Sequence, residues 1–282
     1  MTQLAFTKMH GLGNDFMVVD LVTQCASLSP ETIQRLADRH TGIGFDQLLV
    51  LEAPQTPEAD FRYRIFNADA REVEQCGNGA RCFARFAVAR GLTQKTELIL
   101  ETSNGLITTR LCQNDQVEVD MGAPCREPAQ IPFDTTAAQA ADKQGGFLLP
   151  LGDETITLYP ISMGNPHGVI FVDNITQAPV QEVGQTLSQH RAFPEGANIG
   201  FCQVVDPGFV RLRVYERGVG ETRACGTGAC AAVVSGRQLG LLTESVKVSL
   251  QGGKIRIGWL GNSSSVRMTG SACFVYEGTL NL

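Results

Sequence analysis

The sequence predicts an α+β protein built from two similar domains, and three observations predict it. The first is an internal repeat: residues 61–80 read FRYRIFNADAREVEQCGNGA and residues 210–229 read VRLRVYERGVGETRACGTGA. They align without a gap, placing Arg62 on Arg211, Arg64 on Arg213, Glu72 on Glu221 and Cys76 on Cys225. The second is a pair of shorter echoes in the same order. Gly13-Asn14 matches Gly164-Asn165, each before an apolar run ending in Val-Asp, and Ile43-Gly44-Phe45-Asp46-Gln47 matches Ile199-Gly200-Phe201-Cys202-Gln203. Three matches in one order indicate duplication, with the halves related by a pseudo-two-fold axis. The third is length, since 282 residues suit about two domains of roughly 150 each.

The elements follow from local pattern. An extended strand is expected at the N-terminus, in Met1 to Lys8. Runs rich in β-branched residues recur at Met17–Asp20, Leu48–Leu51, Arg62–Phe66, Leu98–Thr102 and Gln116–Asp120. The second half has them at Val169–Val172, Val210–Tyr215, Val246–Leu250 and Lys254–Gly258. A helix opens at Ser29, a capping residue before Pro30, and runs to about His40. Two more begin at the repeated cysteines, over 77–90 and 226–239. The Pro-rich stretch Met121 to Pro128 marks the boundary, giving domains 1–125 and 126–270.

Composition narrows the function. A net charge of −6 without a basic run argues against a nucleic-acid partner. No apolar stretch reaches the length of a membrane span, and the first residues lack a signal-peptide pattern, so a cytoplasmic protein is expected. Nine cysteines without framework spacing then read as reduced thiols. Seven of them (Cys25, Cys82, Cys112, Cys125, Cys202, Cys230 and Cys273) are read as small buried hydrophobes. With no C-x-x-C pair and four histidines, no metal site is expected, and no cofactor motif occurs.

Chemistry concentrates on Cys76-Gly77-Asn78-Gly79 and Cys225-Gly226-Thr227-Gly228, each between a polar turn and an apolar helix. Glycines there let the backbone approach a ligand, and unpaired N–H groups at a helix start attract a carboxylate. A cysteine at the same point feels the positive end of the helix dipole, which can lower its pKa from about 8.5 into roughly 3.5–7.5. One such motif is a weak signal; two at matching places in a duplicated chain are not. Inverting a stereocentre by proton transfer needs a base on one face and an acid on the other, and paired thiols supply both. His167, in Gly164-Asn165-Pro166-His167, joins the site by its place after the repeated Gly-Asn. Where the first half has Asn67-Ala68 the second has Glu216-Arg217, a divergence that lets a symmetric frame hold an asymmetric ligand, Glu216 taking an ammonium and Arg217 a carboxylate.

These residues resemble the diaminopimelate epimerase family of pyridoxal-phosphate-independent amino-acid racemases. The likeness runs through Lys8 to Phe16, Gly42 to Gln47, Arg64 to Asp69, Gln75 to Cys82, Met163 to His167, and Arg213 to Gly218 with Ala224-Cys225-Gly226. The resemblance implies two similar domains, each a β-barrel-like sheet around a central helix, with residues 271–282 returning to the first. It implies interconversion of LL- and meso-2,6-diaminopimelate without a cofactor, Cys76 and Cys225 being the acid/base pair and His167 and Glu216 supporting the substrate ammonium and the thiols. Asn14, Asn67, Asn165, Asn198 and Arg217 would then read the distal amino-acid group, with Gln47 also lining the site, and the backbone of Gly77, Asn78, Gly226 and Thr227 would hold the reacting carboxylate. Homodimers are known in the family. Other readings stay open: a proline-type racemase or phenazine-pathway-like isomerase, a non-catalytic amino-acid-binding protein, or a thiol redox enzyme. In the epimerase reading a Cys76–Cys225 disulfide would be an inactive form.

Overall fold

A computed structural model of the chain describes residues 3–73, 76–152 and 154–282. Gln75 of the matched run, and the first two residues of the expected N-terminal strand, lie outside them. The chain divides into one unit of residues 1–120 with 269–282 and a second of residues 121–268. The boundary thus falls before the expected 125. Met121 N–H donates to Val266 O at 2.9 Å, and Cys125 and Ser162 exchange backbone bonds of 2.9 and 2.8 Å, so the Pro-rich stretch is tied into the second unit.

The first unit contains β1 (Gln3–Gly11), β2 (Asn14–Asp20), α1 (Pro30–Ala37), β3 (Gln47–Glu52), β4 (Phe61–Asn67), α2 (Gly77–Ala89), β5 (Glu97–Thr102), β6 (Gly105–Leu111) and β7 (Gln116–Asp120). The second contains β8 (Gln139–Ala140), β9 (Phe147–Leu151), β10 (Glu154–Ser162), β11 (Pro166–Phe171), α3 (Val180–Ser188), β12 (Asn198–Asp206), β13 (Phe209–Glu216), β14 (Gly220–Thr222), α4 (Gly226–Gln238), β15 (Ser245–Leu250) and β16 (Gly253–Gly258). After β17 (Arg267–Ser271) the chain ends in β18 (Cys273–Asn281), which lies antiparallel along β1.

The two units share one pairing pattern. In the first, β1–β2 is antiparallel, β2–β3 parallel, β3–β4 antiparallel, β4–β5 parallel and β5–β6 antiparallel. The second repeats this through β10–β11, β11–β12, β12–β13, β13–β15 and β15–β16. Register corrects one of the sequence echoes. Phe16 faces Gln47 as His167 faces Asn198, so the counterpart of Gln47 is Asn198 and not Gln203. Ile43–Phe45 precede β3 whereas Ile199–Phe201 lie within β12, and the resemblance between those two runs is coincidental.

Alternation builds the sheets. In β4, Phe61, Tyr63 and Ile65 turn inward while Arg62 and Arg64 turn outward. Inside each sheet lies one helix of 13 residues. Helix α2 touches β1, β2, β3, β4, β6 and β7, and α4 touches β10, β11, β12, β13 and β16. Buried residues fill α4 from Gly228 to Gly236, all round its circumference, as expected of a helix enclosed by a sheet. The second glycine of each Cys-Gly-x-Gly meets this packing, most closely at Gly79. A Cβ on Gly79 would lie 2.2 Å from the Tyr63 hydroxyl, and one on Gly228 would lie 3.1 Å from Val214 Cγ2.

The repeated Arg and Glu are also structural. Arg64 donates to both oxygens of Glu72 at 2.8 Å, and Arg213 to both oxygens of Glu221 at 2.7 and 2.8 Å. Each fork closes the turn that leads into a cysteine.

Two helices differ from expectation. Helix α1 ends at Ala37 rather than near His40, because Asp38 turns extended and its side chain accepts from His40 and Thr41 N–H. The pattern reading missed α3, whose Val180, Val183 and Leu187 form a buried face at helical spacing. It packs closely on β13, where a Cβ on Gly184 would lie 2.5 Å from Tyr215 Cβ. Gly184→Ala therefore overpacks this contact and is expected to cost about 1–3 kcal/mol, read as a lower urea midpoint at unchanged slope. A wild-type midpoint would show that α3 yields.

Candidate active site

Each unit places one cysteine at the N-cap of its enclosed helix. Cys76 and Cys225 both have extended backbone, at φ −144° and −115°, and Gly77 and Gly226 are the first helical residues. Their carbonyls accept the first bonds of the helices, from Ala80 N at 2.8 Å and Ala229 N at 3.0 Å. Gly77, Asn78, Gly226 and Thr227 thus hold the first-turn positions, where N–H groups find no acceptor within a helix.

Around Cys76 the neighbours are amides. The sulfur accepts from Gly79 N–H at 3.4 Å and faces Asn14 Oδ1 at 3.7 Å. Asn78 Nδ2 donates to the same oxygen at 3.4 Å, and its own oxygen accepts from the fully buried Arg81 at 2.9 Å. Tyr63 donates its hydroxyl to Cys76 O at 3.2 Å. A sulfur meeting both a donor and an acceptor is accommodated as thiol or as thiolate. Gln47 Nε2 donates to Asn67 Oδ1 at 2.9 Å, bringing that pair together on adjacent strands. Gln47 Oε1 is buried without a partner among the described residues.

Around Cys225 the neighbours include a carboxylate. The residue is 5% exposed, its sulfur lies 3.6 Å from the Thr227 hydroxyl, and Glu216 sits beside it, held by a hydrogen bond from Thr222. Burial first, and the Glu216 carboxylate second, push this thiol well above the usual range. Both causes act against the lowering expected from the helix dipole.

His167 is fully buried and neutral, its pKa brought down to about 3 by burial and then by Arg217. Its Nε2 lies 3.0 Å from Asn165 Oδ1, which assigns the proton to that nitrogen. Nδ1 is left a buried acceptor without a partner among the described residues. Asn198 Oδ1 accepts from Arg217 N–H at 2.8 Å, and the Arg217 guanidinium donates to Glu195 O at 2.7 Å. Arg217 also lines an open cavity of about 590 Å³ with Glu195, Tyr215 and Val219.

The first unit thus brings together Asn14, Cys76, Gly77 and Asn78 as one cluster and Gln47 with Asn67 as another. The second brings together Glu216, Cys225, Gly226 and Thr227, and separately Asn165 with His167 and Asn198 with Arg217. Sequence reasoning missed Thr222, Tyr63, Arg81 and the carboxylate of Asp46, which accepts from Asn14 Nδ2 at 3.0 Å. Asp46 stands in the run quoted for the family, so only its role was hidden. Among the seven cysteines read as buried hydrophobes, Cys82, Cys202 and Cys230 are buried. Cys25 and Cys112 are exposed and Cys125 and Cys273 partly so, because these four lie outside the enclosed helices and the central strands.

The sequence matches the family model described as diaminopimelate epimerase over residues 6–126 and 159–275. Diaminopimelate epimerases of two Pseudomonas aeruginosa strains are 54% identical over 279 residues, 99% of this chain and 99% of theirs. Among solved structures, a Bacillus anthracis phenazine biosynthesis protein of the PhzF family aligns at TM-score 0.70 with 18% identity, covering 100% of both chains. A hydroxyproline epimerase of Agrobacterium vitis aligns at 0.69 with 16% identity, covering 99% of this chain and 94% of that one. These two share the fold. No helix among the described residues is long and apolar enough to cross a membrane.

Removing the Glu216 charge removes one of the two causes that raise the Cys225 pKa. In Glu216→Gln, the pH midpoint for alkylation of Cys225 by iodoacetamide, followed by mass spectrometry, is expected to fall towards the ordinary thiol value. An unmoved midpoint would leave burial as the whole cause.

Proposed function

This chain belongs to the diaminopimelate epimerase family, and on that premise we propose that it inverts one α-carbon of 2,6-diaminopimelate, interconverting the LL and meso forms in lysine and cell-wall precursor synthesis. One observation carries the mechanism: equivalent positions of the two units each hold a cysteine at the N-cap of an enclosed helix. One thiolate takes the α-proton while the other thiol delivers a proton to the opposite face, and the pair ends with its protonation states exchanged. Cys225, held as a thiol by burial and Glu216, suits the donor of the first turnover. Cys76, with a donor and an acceptor at its sulfur, suits the base.

The first-turn amides of Gly77, Asn78, Gly226 and Thr227 would hold the reacting carboxylate and take up charge as the proton leaves. A neutral His167 cannot attract an anion; its unpartnered Nδ1 suits an incoming ammonium donor, as the Glu216 carboxylate does. Asn14, Gln47, Asn67, Asn165, Asn198 and Arg217 would read the distal amino-acid group, with Gln47 Oε1 available to one of its donors. The reaction calls for no pyridoxal phosphate and no metal, and for no partner but the amino acid. It suits the cytoplasm, where thiols stay reduced. A homodimer is a proposal from the family reading alone.

Glu216-Arg217 and the several amides favour a substrate with a second zwitterionic head over a proline-like one. Wild-type protein in D₂O with reductant is expected to exchange the Cα proton of both diaminopimelate isomers and to epimerise them, and Cys76→Ala and Cys225→Ala each to lose at least about 100-fold. Exchange with proline alone would overturn the substrate. Tight binding without any exchange would mean a binding protein.

A further inference from the structure

We propose that Asp46 is a positioning residue for this reaction, setting the orientation of the Asn14 amide so that its carbonyl oxygen faces the Cys76 sulfur. The inference rests on the epimerase reading and goes beyond it. The Asn14 amide has a donor end and an acceptor end. Its Nδ2 donates to Asp46 Oδ2 at 3.0 Å, while its Oδ1 meets Cys76 Sγ at 3.7 Å and Asn78 Nδ2 at 3.4 Å. An ionised carboxylate accepts and cannot donate, so Asp46 can satisfy only the NH₂ end of Asn14. The other end is then turned to the thiol.

Asp46, itself exposed, has several partners. Its Oδ1 accepts from Arg39 at 2.7 Å, its Oδ2 also accepts from Asp15 N–H at 3.2 Å, and its own N–H donates to Asp15 Oδ1 at 3.1 Å. Arg39 in turn forks onto Asp15 at 2.8 and 3.0 Å, and the buried Lys8 donates to Asp15 Oδ2 at 2.5 Å and to Gly44 O. Burial opposes ionisation of Asp15, but hydrogen bonds from Arg39 and Lys8 prevail and hold its carboxyl well below the usual range. Two carboxylates and two cations thus form a neutral cluster with one free task, the NH₂ group of Asn14. The pairs of Arg39 are exposed at the surface and add little to stability.

The comparison between units points the same way. Asn165, the counterpart of Asn14, pairs its Oδ1 with His167 Nε2 at 3.0 Å, and the position equivalent to Asp46 is Ala197. Each half orients its repeated asparagine, by different means. For Cys76 the consequence is a donor, Gly79 N–H, on one side and an acceptor on the other, so that thiol and thiolate are both served as the proton comes and goes. A reversed Asn14 would replace that acceptor by a second donor and would favour the thiolate.

The test compares Asp46→Asn with Asp46→Glu. Asn is the closer fit in shape but offers an NH₂ that can pair with a reversed Asn14; Glu remains an acceptor only. Wild-type activity on diaminopimelate is the control, and its failure would end the epimerase reading rather than this one. With an active wild type, D46N is expected to lose at least about tenfold in kcat with KM within about threefold, and D46E to keep kcat within about threefold. In an Asn14→Ala background, D46N should have no further effect. Wild-type kcat in D46N, or a D46E loss equal to that of D46N, would overturn the proposal, as would losses that multiply in the double variant. Should D46N not fold, Arg39→Met loosens Asp46 from the solvent side. It is expected to lower kcat severalfold in the wild-type background and not at all in Asn14→Ala; equal losses in both would also overturn it.

Discussion

Enclosing a 13-residue helix within each sheet is the constraint on which the rest of both units depends. A helix packed on all sides cannot expose its flank, so its N-terminus is the end that can meet a ligand. The residue at the N-cap is then held by the whole sheet behind it. Gly79 and Gly228 exist to let the first turn seat against β4 and β13, and the Arg64–Glu72 and Arg213–Glu221 forks deliver the chain to the cap from the other side. Residues that look like a chemical motif in sequence are mostly the fixings for one sulfur in each half.

The two halves use this shared frame differently. In the first, the cap sulfur is surrounded by amides whose orientation traces back through Asn14 to a neutral cluster of Asp46, Asp15, Arg39 and Lys8. In the second, the sulfur is deeper and a carboxylate stands beside it. A duplicated scaffold with identical surroundings would give two thiols of equal basicity. Replacing an amide by a carboxylate at the position of Asn67 and Glu216 breaks that equality without touching the frame.

The buried neutral histidine fits the same logic. His167 takes the place held by Phe16 in the other unit, so an apolar core position has been turned into an acceptor. Its proton is committed to Asn165, and what remains for a ligand is a lone pair in a dry place.

The sequence by itself determined the duplication, the α+β class, and the place of Cys76 and Cys225 at the starts of two helices, because those signals are local or exact repeats. It placed most central strands, since inward and outward residues alternate along them. It erred where tertiary contacts overrule local pattern. The echo at Ile199–Gln203 was false because strand register, not similarity, decides which residues correspond, and α1 stops early because Asp38 caps a turn. Helix α3 was overlooked although Val180, Val183 and Leu187 carried its spacing. The Cys225 pKa ran opposite to the helix-dipole argument, since burial and the neighbouring Glu216 come from segments that only folding brings together. The orientation of Asn14 was beyond reach for the same reason: an amide's direction depends on what faces its two ends, and Asp46 arrives from the turn before β3, 32 residues away.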